Sequence, residues 1–184
     1  TATDNVAVGY QALKANVVGS SCIALGPYAL TAQNGNVSGN IAIGQASMYE
    51  NLTGTTNTAM GHDSLRLNTA GHRNTAVGYG ALRDNTVSDI TAFGYEALSD
   101  NTTGNYNAAL GSYALWANTI GEKNTAMGYW ALKANTTGTE NAAVGYNALL
   151  ANTTGIKNVA VGAVALTSNT IGINNTAVGW AAMN

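Results

Sequence analysis

The sequence predicts an all-β protein, a parallel β-solenoid of about eleven 17-residue coils with two short strands in each coil. Three observations support this prediction. A short unit recurs along all 184 residues, as in Asn-Thr-Ala-Met-Gly-Tyr-Trp-Ala-Leu-Lys-Ala-Asn-Thr-Thr-Gly (124–138). The unit keeps the same residue types in the same places, and it is too short for helices.

The period is measured from the glycine of the Ala-x-Gly triplet, which we call the marker glycine. Its spacings are 17, 18, 17, 17 and 16 residues, followed by 17 five times, and it stands at positions 9, 26, 44, 61, 78, 94, 111, 128, 145, 162 and 179. Repetition at a constant short period is typical of stacked arrays that form one continuous body. We therefore expect residues 1–184 to form a single array without an internal domain boundary.

The segment before the marker glycine predicts the first strand. Two places before it stands alanine in every coil, and one place before it stands a large apolar residue, as in Ala126 and Met127. Runs such as Thr-Ala-Val-Gly-Tyr are rich in β-branched and aromatic residues, which favour strands.

The segment after the marker glycine predicts the second strand. Leu or Met stands four places after it in every coil, preceded by Ala or Ser. A run such as Ala131–Lys133 is too short for a helix that is stable in water. Two strands of about five residues and two turns fill each coil.

Asparagine and glycine predict the turns. Asn stands four places before the marker glycine in most coils and seven places after it in most, and we expect each column to form a ladder of stacked amides that tolerates left-handed backbone. A second glycine follows three places after the later Asn, and we expect it to supply a positive φ. These glycines are Gly19, Gly54, Gly71, Gly104, Gly121, Gly138, Gly155 and Gly172.

Two coils depart from the pattern. One residue is inserted near 33–36, which places Asn34 one position late, and Cys22 replaces the leading Asn of that coil. One residue is missing near 88–89, and Ile90 replaces the next leading Asn. Both changes in length fall in turns, where arrays tolerate them.

The restricted columns predict contacts between chains. Neighbouring residues on a strand point to opposite faces, so an alanine column beside a large apolar column restricts both faces. We infer the same for the second segment. Sheets with two restricted faces are covered on both sides, which predicts that each rod packs against copies of itself.

The repeats resemble a known group of fibrous proteins. Asn-Val-Ala-Val-Gly (5–9) and Asn-Ile-Ala-Ile-Gly (40–44) resemble the head repeats of trimeric autotransporter adhesins, and the longer unit resembles the shaft repeats of bacteriophage tail fibres. The resemblance implies a left-handed β-roll assembled as a homotrimer, with an attachment role at a virion or cell surface. The period is longer than that of the adhesin heads. Because the sequence begins and ends within a repeat, we expect a fragment of a longer fibre.

The composition argues against several other classes. Charged residues are only 9% of the chain, and the seven Lys and Arg are scattered, which disfavours nucleic-acid binding. Apolar runs are far shorter than the roughly 20 residues of a membrane-spanning helix. We expect no membrane insertion, no cofactor, no metal and no catalytic residues. The pairs His62–Asp63 and Asp84–Asp100 are better explained as solvated residues than as metal or glycosidase sites.

Aromatic residues are the candidate contact sites. Tyr28, Tyr113 and Trp130 share the position two after the marker glycine, and Tyr49 and Trp116 share the position five after it. Both columns mix aromatic with charged residues, so we expect partial exposure and contact with host-surface glycans or proteins.

The function predicted first is a non-enzymatic, extracellular shaft or head segment of a homotrimeric fibre on a virion tail or bacterial surface, which positions a receptor-binding tip. The alternative is an ice-binding solenoid, because threonine columns can order water. The strongest such column, eight places after the marker glycine, holds Thr in seven of nine regular coils.

Overall fold

The computed structural model describes residues 2–33, 35 and 37–184. Eleven parallel strands of three residues each form one sheet, and each strand pairs in register with the strands of the adjoining coils. No helix occurs in the described residues. The predicted parallel β-solenoid is confirmed, with β1 Val6–Val8, β2 Ile23–Leu25, β3 Ile41–Ile43, β4 Thr58–Met60, β5 Thr75–Val77, β6 Thr91–Phe93, β7 Ala108–Leu110, β8 Thr125–Met127, β9 Ala142–Val144, β10 Val159–Val161 and β11 Thr176–Val178.

The prediction of two strands per coil is wrong, because the second segment is a series of tight turns. In the coil of Gly128, Trp130 has φ +59° and Leu132 has φ +52°, and every described coil repeats this alternation. Left-handed backbone at such residues is unfavourable by about 1–3 kcal/mol each. Burial of the Leu side chain and hydrogen bonds between coils, such as Leu115 N–H to Ala131 O at 3.0 Å, offset this cost.

These turns also correct the inference about the second segment. A positive φ at every other residue removes the alternation of a strand, so Ala131 and Leu132 both point inward and both are fully buried. The restricted Ala-Leu columns are therefore explained by the core of the single chain and do not require a partner.

The first strand has one inward and two outward residues. The central alanine is buried from β2 to β11, while the first and third residues reach the outer surface. In β8, for example, Ala126 is inaccessible and Met127 is 42% exposed. The predicted outward column of large apolar residues is thus present, and it is partly exposed in the single chain.

Both asparagine columns form ladders inside the rod, as predicted. In the later column, Asn135 Nδ2 donates to Asn118 Oδ1 at 2.8 Å, and Asn152 Nδ2 donates to Asn135 Oδ1 at 2.9 Å. In the leading column, Asn124 Oδ1 accepts the backbone N–H of Asn141 at 3.0 Å. The column asparagines have ordinary negative φ, so the ladder rather than left-handed backbone accounts for them.

The role predicted for the turn glycines is wrong. None of the eight has a positive φ; Gly138, for example, is absent from the left-handed region that the marker Gly128 occupies at φ +137°. Instead, these positions require glycine because there is no room for a side chain. A Cβ on Gly138 would meet Asn135 Oδ1 and the Gly155 carbonyl, and it would lie 2.9 Å from Asn152 Nδ2.

The irregular coils keep the amide ladders only in part. Among the described residues, Asn68 Oδ1 has no hydrogen-bond partner at the shortened coil, and Ile90 brings no side-chain amide to the leading column. Asn34 lies outside the described residues, and Gln33 occupies the later asparagine column instead, where its Nε2 donates to Val37 O at 3.1 Å. Cys22 lies beside it with Sγ 3.4 Å from Nε2, so a shorter residue accompanies a longer one. In the shortened coil, Val87 O replaces the turn-glycine carbonyl as acceptor for Asn85 Nδ2.

Candidate functional site

Two surfaces of the rod expose long rows of apolar or aromatic side chains. The first, the apolar stripe, consists of the outward residues of the eleven strands, and none of those residues is charged. Its third-position members include Phe93, Leu110 and Met127, which are 39–49% exposed. A shallow hollow around them is lined by Thr91, Phe93, Ala108, Ala109, Leu110, Thr125 and Met127.

The second surface, the aromatic band, runs along the turn side of the coils. Its members stand one, two or five places after the marker glycine, and their rings form three contacting groups, which end at Tyr49, Trp116 and Tyr146. Tyr79 and Tyr95 stack at 5.1 Å between centroids, and Tyr129 and Tyr146 stack at 5.8 Å. The band comprises Tyr10, Tyr28, Tyr49, His62, Tyr79, Tyr95, Tyr113, Trp116, Tyr129, Trp130 and Tyr146.

The densest part of the band is a cleft between two adjacent coils, here called the Lys133 cleft. Lys133 Nζ lies 4.1 Å from the ring centroid of Trp130 and 5.8 Å from those of Tyr113 and Trp116. Trp116 Nε1 donates to Glu96 Oε2 at 3.1 Å, which orients that indole. The lining residues are Glu96, Tyr113, Trp116, Tyr129, Trp130 and Lys133.

A related arrangement, the Arg66 cleft, lies four coils earlier. Arg66 stands in the same position of its coil as Lys133, and its guanidinium lies 5.8 Å from the Tyr49 ring. Unlike Lys133, Arg66 has a carboxylate partner, with Nε 3.4 Å from Asp63 Oδ1. This cleft is lined by Tyr28, Gln45, Ala46, Tyr49, His62, Asp63 and Arg66.

The five predicted contact residues all lie on the band and all are half-buried. They divide between two clefts: Tyr113, Trp116 and Trp130 line the Lys133 cleft, and Tyr28 and Tyr49 line the Arg66 cleft. The prediction missed the tyrosines directly after the marker glycine, such as Tyr95 and Tyr129, because they were assigned to the first strand. The structure ends that strand before the glycine and leaves these tyrosines 41–65% exposed. In the sequence, the Gly-Tyr dipeptide that recurs in five coils indicates these exposed tyrosines.

The arginines and several aspartates form ion pairs. Arg83 pairs with both Asp84 and Asp100, at 3.1 and 3.3 Å, and burial raises the pKa of Asp100 while Arg83 opposes that shift. Burial likewise raises the pKa of Tyr95. His62 and Asp63 would point to opposite faces if they lay on a strand, but they lie in a turn, and His62 Nδ1 is 3.1 Å from Asp63 Oδ2.

Over residues 2–33, 35 and 37–184, no three His, Cys, Asp or Glu side chains are grouped so as to hold a metal ion. The same part of the chain contains no helix with the length and apolar character needed to cross a membrane.

Comparison with known proteins adds no relative: no family model, no curated protein and no solved structure matches this chain.

Proposed function

We propose that this chain is a structural segment of a homotrimeric fibre on the outside of a virion tail or a bacterial cell. In this role it is non-enzymatic, it holds a receptor-binding tip away from the surface, and its aromatic band contacts host-surface glycans or proteins. The apolar stripe is the observation that carries the proposal.

The stripe supports self-association because the single chain leaves it uncovered. It extends over eleven coils, or roughly 50 Å at strand spacing, with large apolar side chains and no charge. Monomeric proteins rarely expose a continuous apolar patch of more than a few hundred Å². Burial of each such side chain stabilises an assembly by up to about 1.5–3 kcal/mol.

A copy of the same chain fits this stripe better than an unrelated partner. The stripe repeats at coil spacing, so a second rod with the same repeat can make the same contact at every coil. The number of copies, three, comes from the resemblance to trimeric fibres.

The ice-binding alternative has weaker support. Hydroxyls of the threonine column donate to carbonyls of the next coil, as Thr119 Oγ1 does to Thr136 O at 3.1 Å, so these donors are not free for water. On the flat sheet, threonine occupies the first strand position in several coils but never the third, which excludes Thr-x-Thr pairs. A thermal hysteresis assay on the purified chain tests this alternative directly.

Light scattering coupled to size-exclusion chromatography tests the fibre proposal. We expect a particle of three times the 18.7 kDa chain mass. Leu110→Arg introduces a charge into the stripe and is expected to reduce the mass to that of one chain. Ile120→Arg is the matched control, because Ile120 is 52% exposed and lies in a turn outside the stripe. A folded wild-type monomer, or a Leu110→Arg variant that still associates, would contradict the proposal.

A further inference from the structure

We propose that the Lys133 cleft binds a carboxylate-bearing saccharide, with a sugar ring against the aromatic rings and its carboxylate on the Lys133 ammonium. This inference deepens the surface-contact part of the proposed function and rests on it. It names the chemical class of the ligand and the residues that bind it.

The rings supply a platform for the apolar face of a sugar. Tyr113 and Trp116 come from one coil and Tyr129 and Trp130 from the next, so the platform spans two coils. The Tyr129 and Trp130 rings stack at 4.8 Å, and the bond to Glu96 restrains the indole of Trp116. Aromatic faces carry partial negative charge and attract the C–H groups that a pyranose presents on its faces. Few polar groups on aromatic walls are typical of small-molecule sites.

The cation supplies the selectivity for an acid. Within the described part of the chain, none of the ion pairs involves Lys133, whereas Arg66, Arg73 and Arg83 each have a carboxylate partner. An ammonium has three donors and no acceptor, and its contacts here are ring faces. A ligand carboxylate would therefore gain charge-assisted hydrogen bonds without displacing an internal partner.

The backbone of the band favours a saccharide over an acidic peptide. The amides beside the cleft already pair between coils, as Tyr113 N–H does with Tyr95 O at 2.8 Å and Trp130 N–H with Ser112 O at 3.2 Å. A peptide therefore finds few main-chain partners there. Aromatic side chains also continue along the rod on both sides, through Tyr95 and Tyr146, so that an extended saccharide can contact further aromatic residues beyond the cleft.

The Arg66 cleft is an internal control. It has the same order of an aromatic residue and then a cation at the fifth position of successive coils, but Asp63 pairs with the cation. In the Lys133 cleft the carboxylate is that of Glu96, which accepts from the Trp116 indole instead. We expect the Arg66 cleft to contribute little to the binding of acidic saccharides.

Isothermal titration calorimetry on the full chain tests the inference with three acidic polysaccharides: polygalacturonate, hyaluronan and polysialic acid. Each is compared with its own methyl-esterified form, which keeps the rings and linkages and removes the charge. We expect at least one acid to bind at least tenfold more tightly than its ester, with an affinity that falls as salt rises. Lys133→Met and Trp130→Ala should each weaken binding at least tenfold, while Arg66→Met and Tyr49→Ala should leave it unchanged.

The inference would be overturned by no binding of any of the three acids, by equal binding of acid and ester, or by wild-type affinity in Lys133→Met or Trp130→Ala. Equal affinity for polyglutamate would indicate an acidic-peptide site instead and would also overturn it. Thermal melts that match wild type confirm that each variant is folded. The particle mass of the wild-type chain is a separate measurement, so failure of the saccharide site and failure of the fibre proposal are distinguishable.

Discussion

Replacement of Gly138 separates two explanations for the turn glycines. If the turn required left-handed backbone, Asn would be tolerated there better than Ala, because Asn accepts positive φ more readily. Gly138 has no positive φ, and a Cβ would instead press on Asn135 Oδ1 and on the carbonyl of Gly155. We therefore expect Gly138→Asn to be more destabilising than Gly138→Ala.

The magnitude follows from the hydrogen bonds that a Cβ would disturb. Asn152 Nδ2 donates to Asn135 Oδ1 at 2.9 Å and to Gly155 O at 3.1 Å, and Asn141 Nδ2 donates to Gly155 O at 2.8 Å. These groups are buried, and each buried polar group left without a partner costs about 1–3 kcal/mol. Loss of one or two such bonds in Gly138→Ala amounts to about 2–4 kcal/mol, or a decrease in Tm of roughly 5–15 °C for a chain of this size.

Thermal unfolding followed by circular dichroism measures this effect. Thr137→Ala is the matched control, because Thr137 is the exposed neighbour of Gly138, and its Tm should stay close to that of wild type. A Gly138→Asn variant that melts at or above the temperature of Gly138→Ala would refute the spatial explanation and restore the conformational one.

Three other predictions concern the core, the irregular coil and pH. Ala126 is fully buried, so Ala126→Leu should destabilise by about 1–3 kcal/mol, whereas Met127→Leu on the stripe should cost less than about 1.5 kcal/mol; equal melting temperatures would contradict this. Cys22→Asn and Gln33→Asn should each destabilise the fold, because the short and the long side chain share one space. A double-mutant cycle should give a favourable coupling of about 0.5–3 kcal/mol between the two changes. Additive losses of stability would argue against a shared space. Burial raises the pKa of Asp100, so ionisation of this carboxyl destabilises the folded state at pH values above the raised pKa. Asp100→Asn should therefore melt slightly above wild type at pH 7 and lose that advantage as the pH falls through the raised pKa. An equal difference in melting temperature in acid would be inconsistent with this origin.

The parallel stack could be predicted because the repeat determines register. When each coil places Ala between an Asn and a Gly at the same distance, stacking like on like pairs every strand, as β8 and β9 pair through Ala126 and Ala143. The buried amide ladders follow from the same stacking. These features depend on the period and on residue size, both of which are visible in the sequence.

The conformation of the second segment could not be predicted by local reasoning. A single Leu disfavours positive φ. Reasoning from each residue separately therefore predicts a strand for a run such as Ala131–Lys133. The structure accepts this conformation because each such Leu is buried and its N–H bonds to the next coil. Contacts between coils, which only the assembled array contains, outweigh the local preference.

The aromatic band was predicted only in part for a related reason. Columns that vary in residue type were recognised as exposed, which identified Trp116 and Trp130. The tyrosine after the marker glycine belonged to the repeated motif and was assigned to a strand, although the glycine at φ +127° to +139° ends that strand and turns the tyrosine outward.

The columns of the rod differ in what limits their residue types. This difference distinguishes columns that build the fold from columns that are available for contact with other molecules. The inward alanine, the buried Leu or Met, the asparagines and the turn glycines are each restricted by atoms of the same chain, as Ala126, Leu132, Asn135 and Gly138 illustrate. The third strand position is the exception, because residues such as Met127 are large and apolar in every coil while the chain's own core does not enclose them. The single chain does not explain this restriction, and under the fibre proposal a contact with another copy accounts for it. The band has the opposite character, since its residues change from coil to coil, so its aromatic and charged groups can form one particular cleft without altering the stack that presents it.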